Sequence, residues 1–487
     1  MRHTFILYGF LALVGICSAS ADQQLFDRVI CRDVAIIGGG ASGTFAAFRL
    51  REDFNKSVVV IERSGRIGGH VATFDDHATN ASIDYGVQTY IKYGPAESFF
   101  TRLGLQIGPG RSDPASLHSF VNSANGELLS KYKAPEFPEI LPALKRYMEQ
   151  VKKYNQYLTP GLWDFPAPNN IPSDLLLPFE DFAKKYDFEV AVPNIQVVAN
   201  PGVGGFQGIL AIHVLAFAFG YPVLDGILNT GFFNAVNASN SALYEKAYNL
   251  LKKDILLKTA VQSAERSSNG IRLIVKAADG KQTAIDAKQL LIAIPPSESN
   301  LGVLKLDQKE QDVFCQLTPT YSFVGIVRTS VLPRNHTVNF ISQEAVPDHY
   351  LDLWKQPVAL TFNPKGAPEE QLWQFLIASN KTMNSDQAKA KVLEGLKLLV
   401  SSHTFKNETY ADADVAAETE ILAFADHSSV LHRESAESYK KGFIQDFYSL
   451  QGHRSTWYTG SLWTEDFSST VWAFTDTVLD KMIKAMK

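Results

Sequence analysis

Residues 33–43 read Asp-Val-Ala-Ile-Ile-Gly-Gly-Gly-Ala-Ser-Gly, and residues 58–70 read Val-Val-Val-Ile-Glu-Arg-Ser-Gly-Arg-Ile-Gly-Gly-His. Val34 to Ile37 is a short apolar, β-branched run, the mark of a strand buried on both faces. Thr44 to Asp53 carries helical spacing at Phe45, Phe48 and Leu50, Asn55 and Lys56 make a turn, and Val58 to Ile61 is a second buried strand ending at Glu62. This is a strand–helix–strand unit of about 30 residues. Within it Gly38-x-Gly40-x-x-Gly43 matches a dinucleotide fingerprint. Gly38 permits the tight turn, Gly40 lets the backbone approach a pyrophosphate, and Gly43 lets helix and strand pack closely. The amides of Ala41 and Ser42 open the helix and face the phosphates with the positive end of its dipole. The pattern is weak alone; here it follows a strand and opens a helix, as it must. Glu62, 19 residues after Gly43, can accept from both ribose hydroxyls and repels a 2′-phosphate. The alternative is a glycine-rich structural turn.

The chain has 487 residues, 45% apolar and 20% charged, with 46 Lys+Arg against 51 Asp+Glu and a formal charge of -5. That composition excludes a disordered, collagen-like or coiled-coil chain. It offers no positive field for a phosphate backbone, so no nucleic-acid partner is expected. No CxxC or HExxH spacing occurs, so no metal site is assigned. Arg2 and His3, the 13-residue apolar run Phe5 to Cys17, and Ala19-x-Ala21 before Asp22 predict a signal peptide over 1–21, removed after about Ala21. The run is too short to cross a ~30 Å hydrocarbon core, so a secreted or lumenal protein with no membrane association after cleavage is expected. Cys31 and Cys315 then remain, either paired in an oxidising compartment or left as two buried thiols. Six sequons, at Asn55, Asn80, Asn237, Asn335, Asn380 and Asn407, predict glycosylated surface loops.

Further along, the frequent prolines between Pro135 and Pro193 predict loops and short helices. Ile209–Phe219 and Leu243–Lys253 read as helices, and Ile255–Val261 as a strand. Ile271–Val275 and Gln282–Ile285 flank a turn at Gly280 as a hairpin. Gln289–Ile294 reads as a separate buried strand, stopped by Pro295 and Pro296. Phe323–Arg328 and Thr456–Gly460 read as strands, and Ser385–Ser401 and Ser468–Met486 as helices.

Residues Glu62-Arg63-Ser64-Gly65-Arg66-Ile67-Gly68-Gly69-His70 resemble the second flavin motif of the amine-oxidase-like FAD flavoproteins, E-x-R-x-R-x-G-G-R. The resemblance implies FAD as cofactor. It sets Arg66 along the ribose and pyrophosphate, with Arg63 beside it, and Gly68 and Gly69 where the chain passes close to the flavin. Ser64 and His70 replace the first and last arginines; His70 is left as a hydrogen-bonding contact, a covalent flavin anchor or a solvated side chain. Asp84-Tyr85-Gly86-Val87-Gln88 resembles the loop beside the flavin ring. Val261 falls where the family holds adenine with its backbone. Leu291 to Pro296 resembles the strand leading into the substrate domain. Trp457 to Ser461 resembles the last strand, which ends Gly-acid. Gly460 matches, whereas Ser461 does not, leaving Glu465 or Asp466 to supply the acid. The helix from Ser468 would aim its N-terminus at the flavin. The run Val34 to Phe74 is similar to a fungal, secreted branch of the family that works in secondary metabolism.

The expected fold is α/β, a Rossmann-like FAD-binding domain of amine-oxidase type from 32–95, 235–300 and 450–487, with an inserted α+β substrate domain from 96–234 and 301–449. The expected activity is hydride transfer to FAD from a C–N or activated C–H bond of a small organic, secondary-metabolite-like substrate, with or without oxidative cyclisation. Electrons then pass to molecular oxygen or another acceptor. An amine or polyamine oxidase and a non-catalytic flavin-binding relative are the rivals. Such oxidation needs positioning more than acid–base machinery, and no catalytic residue is assigned. Tyr90, Trp457, Tyr458 and Trp463 are candidate lining residues. Ser468 and Ser469, next to Phe467, stand where amine oxidases place an aromatic.

Overall fold

The apolar run at 34–37 is the inner end of a ten-residue strand, Arg28–Ile37. In the structure, a computed structural model that describes residues 26–77, 79, 81–111, 116–199, 208–405 and 414–486, this strand pairs in parallel with Val58–Ile61 on one side and Gln282–Ile292 on the other. Thr456–Tyr458 adds a fourth parallel strand beside Gln282–Ile292. Burial on both faces explains the apolar runs: Val34 to Ile36, Val58 to Ile61 and Leu290 to Ile292 are all at 2% exposure or less. Ile37, Ile61, Ile292 and Tyr458 therefore end along one edge, followed by Gly38, Glu62, Ala293 and Thr459. The helix Ala41–Glu52 covers one face and packs against the last helix, Ser468–Ala485. Trp472 from the latter lies among Phe45, Phe99 and Tyr90 and donates its indole N–H to the Ala41 carbonyl, 3.1 Å away.

Three expectations are corrected. Gln282–Ile285 and Gln289–Ile294 are one strand, Gln282–Ile292. Its middle is interrupted in hydropathy, not in pairing, because Lys288 reaches out to Asp33 at 2.8 Å. Ile255–Val261 is two strands, Ile255–Leu256 and Thr259–Ser267, broken where Lys258 adopts φ 51°. There the Lys258 and Thr259 amides turn to the carbonyls of Ser64 and Glu62. The proline-rich stretch contains a 22-residue helix, Phe137–Leu158, running through Pro142. Its apolar stripe (Ile140, Leu144, Tyr147, Val151, Tyr154, Leu158) is buried, and that burial outweighs the single hydrogen bond a proline forfeits.

A second sheet runs in the order Thr419–Asp426, Thr318–Thr329, Leu372–Ser379, Val358–Lys365, His336–Ile341, Leu117–Asn122. It alternates faces as strands do. Phe323 and Val327 pack under the helix Ser385–Ser401. Val324 and Ile326 pack on Ala72, Ile83 and Tyr85. The second face thus closes over the loops that follow the first sheet.

Cys315 is an exposed free thiol, so no Cys31–Cys315 bridge forms, and the pair is not two buried thiols either. The signal-peptide residues and the sequons at Asn80 and Asn407 lie outside the described residues; Asn55, Asn237, Asn335 and Asn380 are exposed. Among the described residues no single helix is long and apolar enough to cross a membrane.

One buried ion pair ties the last strand to the rest. Arg266 clasps Glu310 through both terminal nitrogens, at 2.6 and 2.8 Å, and Tyr458 donates its hydroxyl to the same carboxylate at 2.8 Å. Burial alone would push the Glu310 carboxyl up; the hydrogen bonds and charge of Arg266 outweigh it and hold the group below the ordinary carboxylate range. A lowered carboxylate contributes stability above its ordinary range and loses it as pH falls. Glu310→Gln leaves Arg266 buried and unpaired, so unfolding in denaturant should show a loss of about 3–5 kcal/mol at pH 7, shrinking toward pH 3.

Candidate active site

Where these parallel strands end, the chain forms a half-open cavity of about 1250 Å³, the position open α/β sheets reserve for ligands. Its volume exceeds the ~300–1,000 Å³ of an ordinary small-molecule site. The first sheet supplies one wall and the second sheet the other.

Two backbone contacts shape the first wall. A Cβ on Gly43 would lie 1.9 Å from the Gly38 carbonyl oxygen, so only glycine lets the helix start this close to the strand. One on Gly86 would lie 2.0 Å from the His70 carbonyl oxygen, which accepts the Val87 amide. Between them the two glycine-rich loops touch, with the Gly68 amide donating to the Gly39 carbonyl at 2.7 Å. Glu62 bridges them: Oε2 accepts the Gly39 amide and Oε1 the Ser64 amide, both at 2.7 Å. The helix Ala41–Glu52 begins at Gly40 with no side-chain cap and no acid in its first turn. Its leading N–H groups therefore have no side-chain partner within the chain. Arg66 folds its guanidinium over the carbonyls of Ile67 and Gly69 at 3.2 and 3.1 Å.

Of the residues named from the sequence, Gly38, Gly40, Ala41, Ser42, Glu62, Arg63, Arg66, Gly68, Gly69, His70, Gly86 and Gly460 all line this one cavity. Gly43 stands behind the wall, as its packing role requires. Val261 does not line it: it lies half-buried on Thr259–Ser267 opposite Val275, beyond the two amides that bind the 62–64 loop. Of the four aromatics only Trp463 lines it. Tyr90 stacks on Trp472, Tyr458 is tied to Glu310, and Trp457 donates to Gln289; all three are core. The stretch Ile209–Phe219 is buried and does not line this cavity. Sequence reasoning missed Arg111, Tyr321, Phe424 and His427, which line the cavity from segments with no local motif.

His427 belongs to the turn after Thr419–Asp426 and stacks on His70, ring centroids 4.1 Å apart and planes 17° apart. The His70 ring is open to the cavity but ringed by protein at that depth. Burial lowers its proton affinity, the carboxylates of Asp466 and Asp426 raise it, Arg66 lowers it, and the balance is down. His427 is pushed well below the ordinary histidine range by burial, by His70 and by Arg66. Both rings are therefore neutral near pH 7. Of the two acids after Gly460, Asp466 lines the cavity. Burial raises its carboxyl, against a hydrogen bond from Ser461 and against His70 whenever that ring carries a proton. Glu465 turns away, buried, accepting the Gly220 amide. Burial pushes its carboxyl up to about 8, against hydrogen bonds from the Gly220 and Val223 amides.

A carboxyl raised on folding stabilises below its ordinary range and loses that contribution as pH climbs to the raised value. Glu465→Gln mimics the protonated form. Its stability should match the parent near pH 5 and exceed it at pH 8–9, as read from denaturation midpoints across that range.

Residues 36–103 match the family described as an NAD(P)-binding Rossmann-like domain. The chain is 31% identical to β-cyclopiazonate dehydrogenase of Aspergillus oryzae over 454 residues, 93% of each protein. It is also 31% identical to the FAD-dependent oxidoreductase dbaF of Emericella nidulans, over 94% of this chain and 92% of that one. Among solved structures it resembles the fatty acid isomerase of P. acnes, with TM-score 0.69 and 17% identity over 92% of this chain and 98% of that one. It resembles the cyclohexylamine oxidase of Brevibacterium oxydans at TM-score 0.56 and 16% identity, over 94% and 100%. Those structural likenesses concern the fold. The sequence relatives decide the family: the chain belongs to the FAD-dependent oxidoreductases that include β-cyclopiazonate dehydrogenase.

Proposed function

We propose that this FAD-dependent oxidoreductase removes a hydride from a C–N or activated C–H bond of an organic, secondary-metabolite-like substrate, in the manner of an oxidative cyclisation. The observation that carries the reading is the enclosure: two interlocked glycine loops on one side, the second sheet on the other, and room between for a dinucleotide and a second molecule. The residues fit FAD. The uncapped helix start at Gly40, Ala41 and Ser42, with Arg63 and Arg66, suits a pyrophosphate. Glu62 has lone pairs left for ribose hydroxyls after its two amide bonds. The loops at Gly68–His70 and at Gly86, with Gly460, present only backbone at the points of closest approach. FAD, when bound, supplies a two-electron acceptor that returns its electrons to oxygen or another acceptor.

The chain's own contribution is placement and exclusion of water. Trp463, Phe467 and Phe424 line the wall and keep the reacting carbon dry. The last helix starts at Ser468 behind an N-cap, Phe467, that makes no side-chain bond, with no acid in the first turn. Its positive end favours negative charge on a neighbouring ring. We further propose export: the leader over 1–21 and the four exposed sequon asparagines fit a secreted glycoprotein. The mature N-terminus should then read from about Asp22, with a mass loss on deglycosylation.

The purified protein should show a flavin spectrum. Acid precipitation should release FAD to the supernatant if His70 is a simple contact, and leave colour in the pellet if His70 holds the flavin covalently. A colourless protein that gains no colour with added FAD would overturn the reading. Glu62→Gln should weaken FAD about tenfold, as loss of a charge-assisted hydrogen bond does. Gly86→Ala, which drives a methyl into the His70 carbonyl, should abolish flavin retention while leaving the far-ultraviolet circular dichroism intact.

A further inference from the structure

Arg111 lines the cavity and bonds to Asp84 at the start of the Asp84–Gln88 loop, not to either glycine-rich loop. Its backbone and guanidinium are both fixed. The Arg111 amide donates to Asn234 Oδ1 at 3.0 Å. Asn234, 1% exposed, also accepts the Thr89 hydroxyl, at 3.2 Å, and donates to the Gln88 carbonyl, at 2.8 Å. One Nη1–H of Arg111 goes to Asp84 Oδ2 at 2.8 Å, and the Nη2–H groups go to the carbonyls of Ala235, at 3.4 Å, and Ala238. A guanidinium has five N–H donors, so two remain. Asp84 does not depend on Arg111 alone: it also accepts the Asn240 amide at 3.0 Å and the Thr73 hydroxyl at 2.6 Å.

The surroundings are one-sided. Phe232 packs against Gly110 next in the chain and lines the same space. The other described acids lining the cavity are engaged elsewhere or come from other segments: Glu62 binds the two glycine loops, Asp426 accepts the Ser428 amide, Asp466 faces His70, and Glu298 lies beyond Pro295 and Pro296. Among the described residues, the carboxylate hydrogen-bonded to Arg111 is Asp84, which is already paired. An ammonium placed here would meet a cation and, among the described residues, a carboxylate already paired; an oxygen anion would meet a guanidinium with two N–H donors still to be used, in a cavity that Phe232 also lines.

We propose that Arg111 is a specificity-determining residue that receives an anionic oxygen group of the substrate, a carboxylate or an ionised enol or phenol, whose apolar body lies along Phe232. The proposal rests on the flavin reading above for which end of the cavity is left to the substrate. It separates this chain from enzymes that select a second ammonium.

The test titrates the holoenzyme with 3-phenylpropionate and with 3-phenylpropylamine, reading the flavin visible spectrum. The acid should bind saturably, at least about tenfold tighter than the amine, the worth of a charge-assisted pair. Arg111→Gln leaves Asp84 buried without its ion-pair partner and can misfold, so it is paired with Asp84→Asn. The double variant should keep FAD and its amine affinity and lose at least about tenfold in acid affinity; Arg111→Lys should recover part of it. Amine binding as tight as acid binding, no acid binding at millimolar concentration, or loss of FAD from the double variant would each overturn the proposal, the last by returning Arg111 to the cofactor. If the parent protein holds no flavin, the cofactor reading falls separately. The same ranking is then read from intrinsic tryptophan fluorescence, where preference for the acid supports the site and its absence overturns it.

Discussion

The fold depends on backbone meeting backbone with nothing between. Three loops leave the first sheet's edge or return to it, and they share one small volume: Gly43 against the Gly38 carbonyl, Gly68 and Gly69 against Gly39 and Gly40, Gly86 against the His70 carbonyl. At Gly43, Gly69 and Gly86 an added Cβ would lie 1.9, 2.9 and 2.0 Å from backbone atoms of the facing loop, closer than side chains tolerate. Their closure brings the Glu62 carboxylate within reach of amides from two loops at once. It also sets the platform of Ala72, Ile83 and Tyr85 on which the second sheet rests. A methyl group at any of these points would move not one loop but the wall of the cavity.

The electrostatics divide along the cavity. At the glycine loops, an uncapped helix start and two arginines offer positive potential to phosphates. At the middle the ionisable groups are held near neutrality. Burial keeps the His70–His427 stack unprotonated and Glu465 protonated, and raises Asp466 toward its neutral form. Where the walls exclude water, any charge that develops on a bound ring or substrate is felt strongly. A second fixed guanidinium, Arg111, appears only beyond that region.

What could be read from the sequence followed from periodicity and local spacing. Val58–Ile61 and Ser385–Ser401 are observed with the predicted bounds, because a doubly buried strand and an amphipathic helix each write their environment into consecutive residues. The glycine positions were legible for the same reason: their constraint is local. Phe137–Leu158 was hidden by Pro142, whose single lost hydrogen bond is small beside nine buried positions. His427 and Phe424 were illegible because they reach the cavity only when the second sheet folds over the first sheet's loops, as in the His70–His427 stack; Arg111 was illegible because its place is set by non-local contacts to Asp84, Asn234 and Ala238. Tyr90 and Tyr458 serve the core, the reading that competes with cavity lining for any aromatic near a motif. Val261 stands on Thr259–Ser267, the strand that begins just after the left-handed turn at Lys258.

The acid after the last strand shows how a broken motif can be rebuilt in space. Ser461 stands where an acid is usual, yet the chain does not run straight on. Residues Ser461–Trp463 form one 3-10 turn, which folds the following segment back toward Gly460. Thr464 is fully extended, φ −159° and ψ −179°, and along an extended chain neighbouring side chains take opposite sides. Glu465 therefore goes to the Gly220 amide in the core while Asp466 turns to the cavity, where Ser461 donates a hydrogen bond to it. The Asp466 amide is pinned to the Phe217 carbonyl at 3.1 Å, and the Thr470 hydroxyl holds the Glu465 carbonyl at 2.7 Å. Serine and aspartate five residues apart thus act as one hydrogen-bonding unit facing His70, and the departure from the pattern at Ser461 is inseparable from the histidine at the end of the second glycine loop.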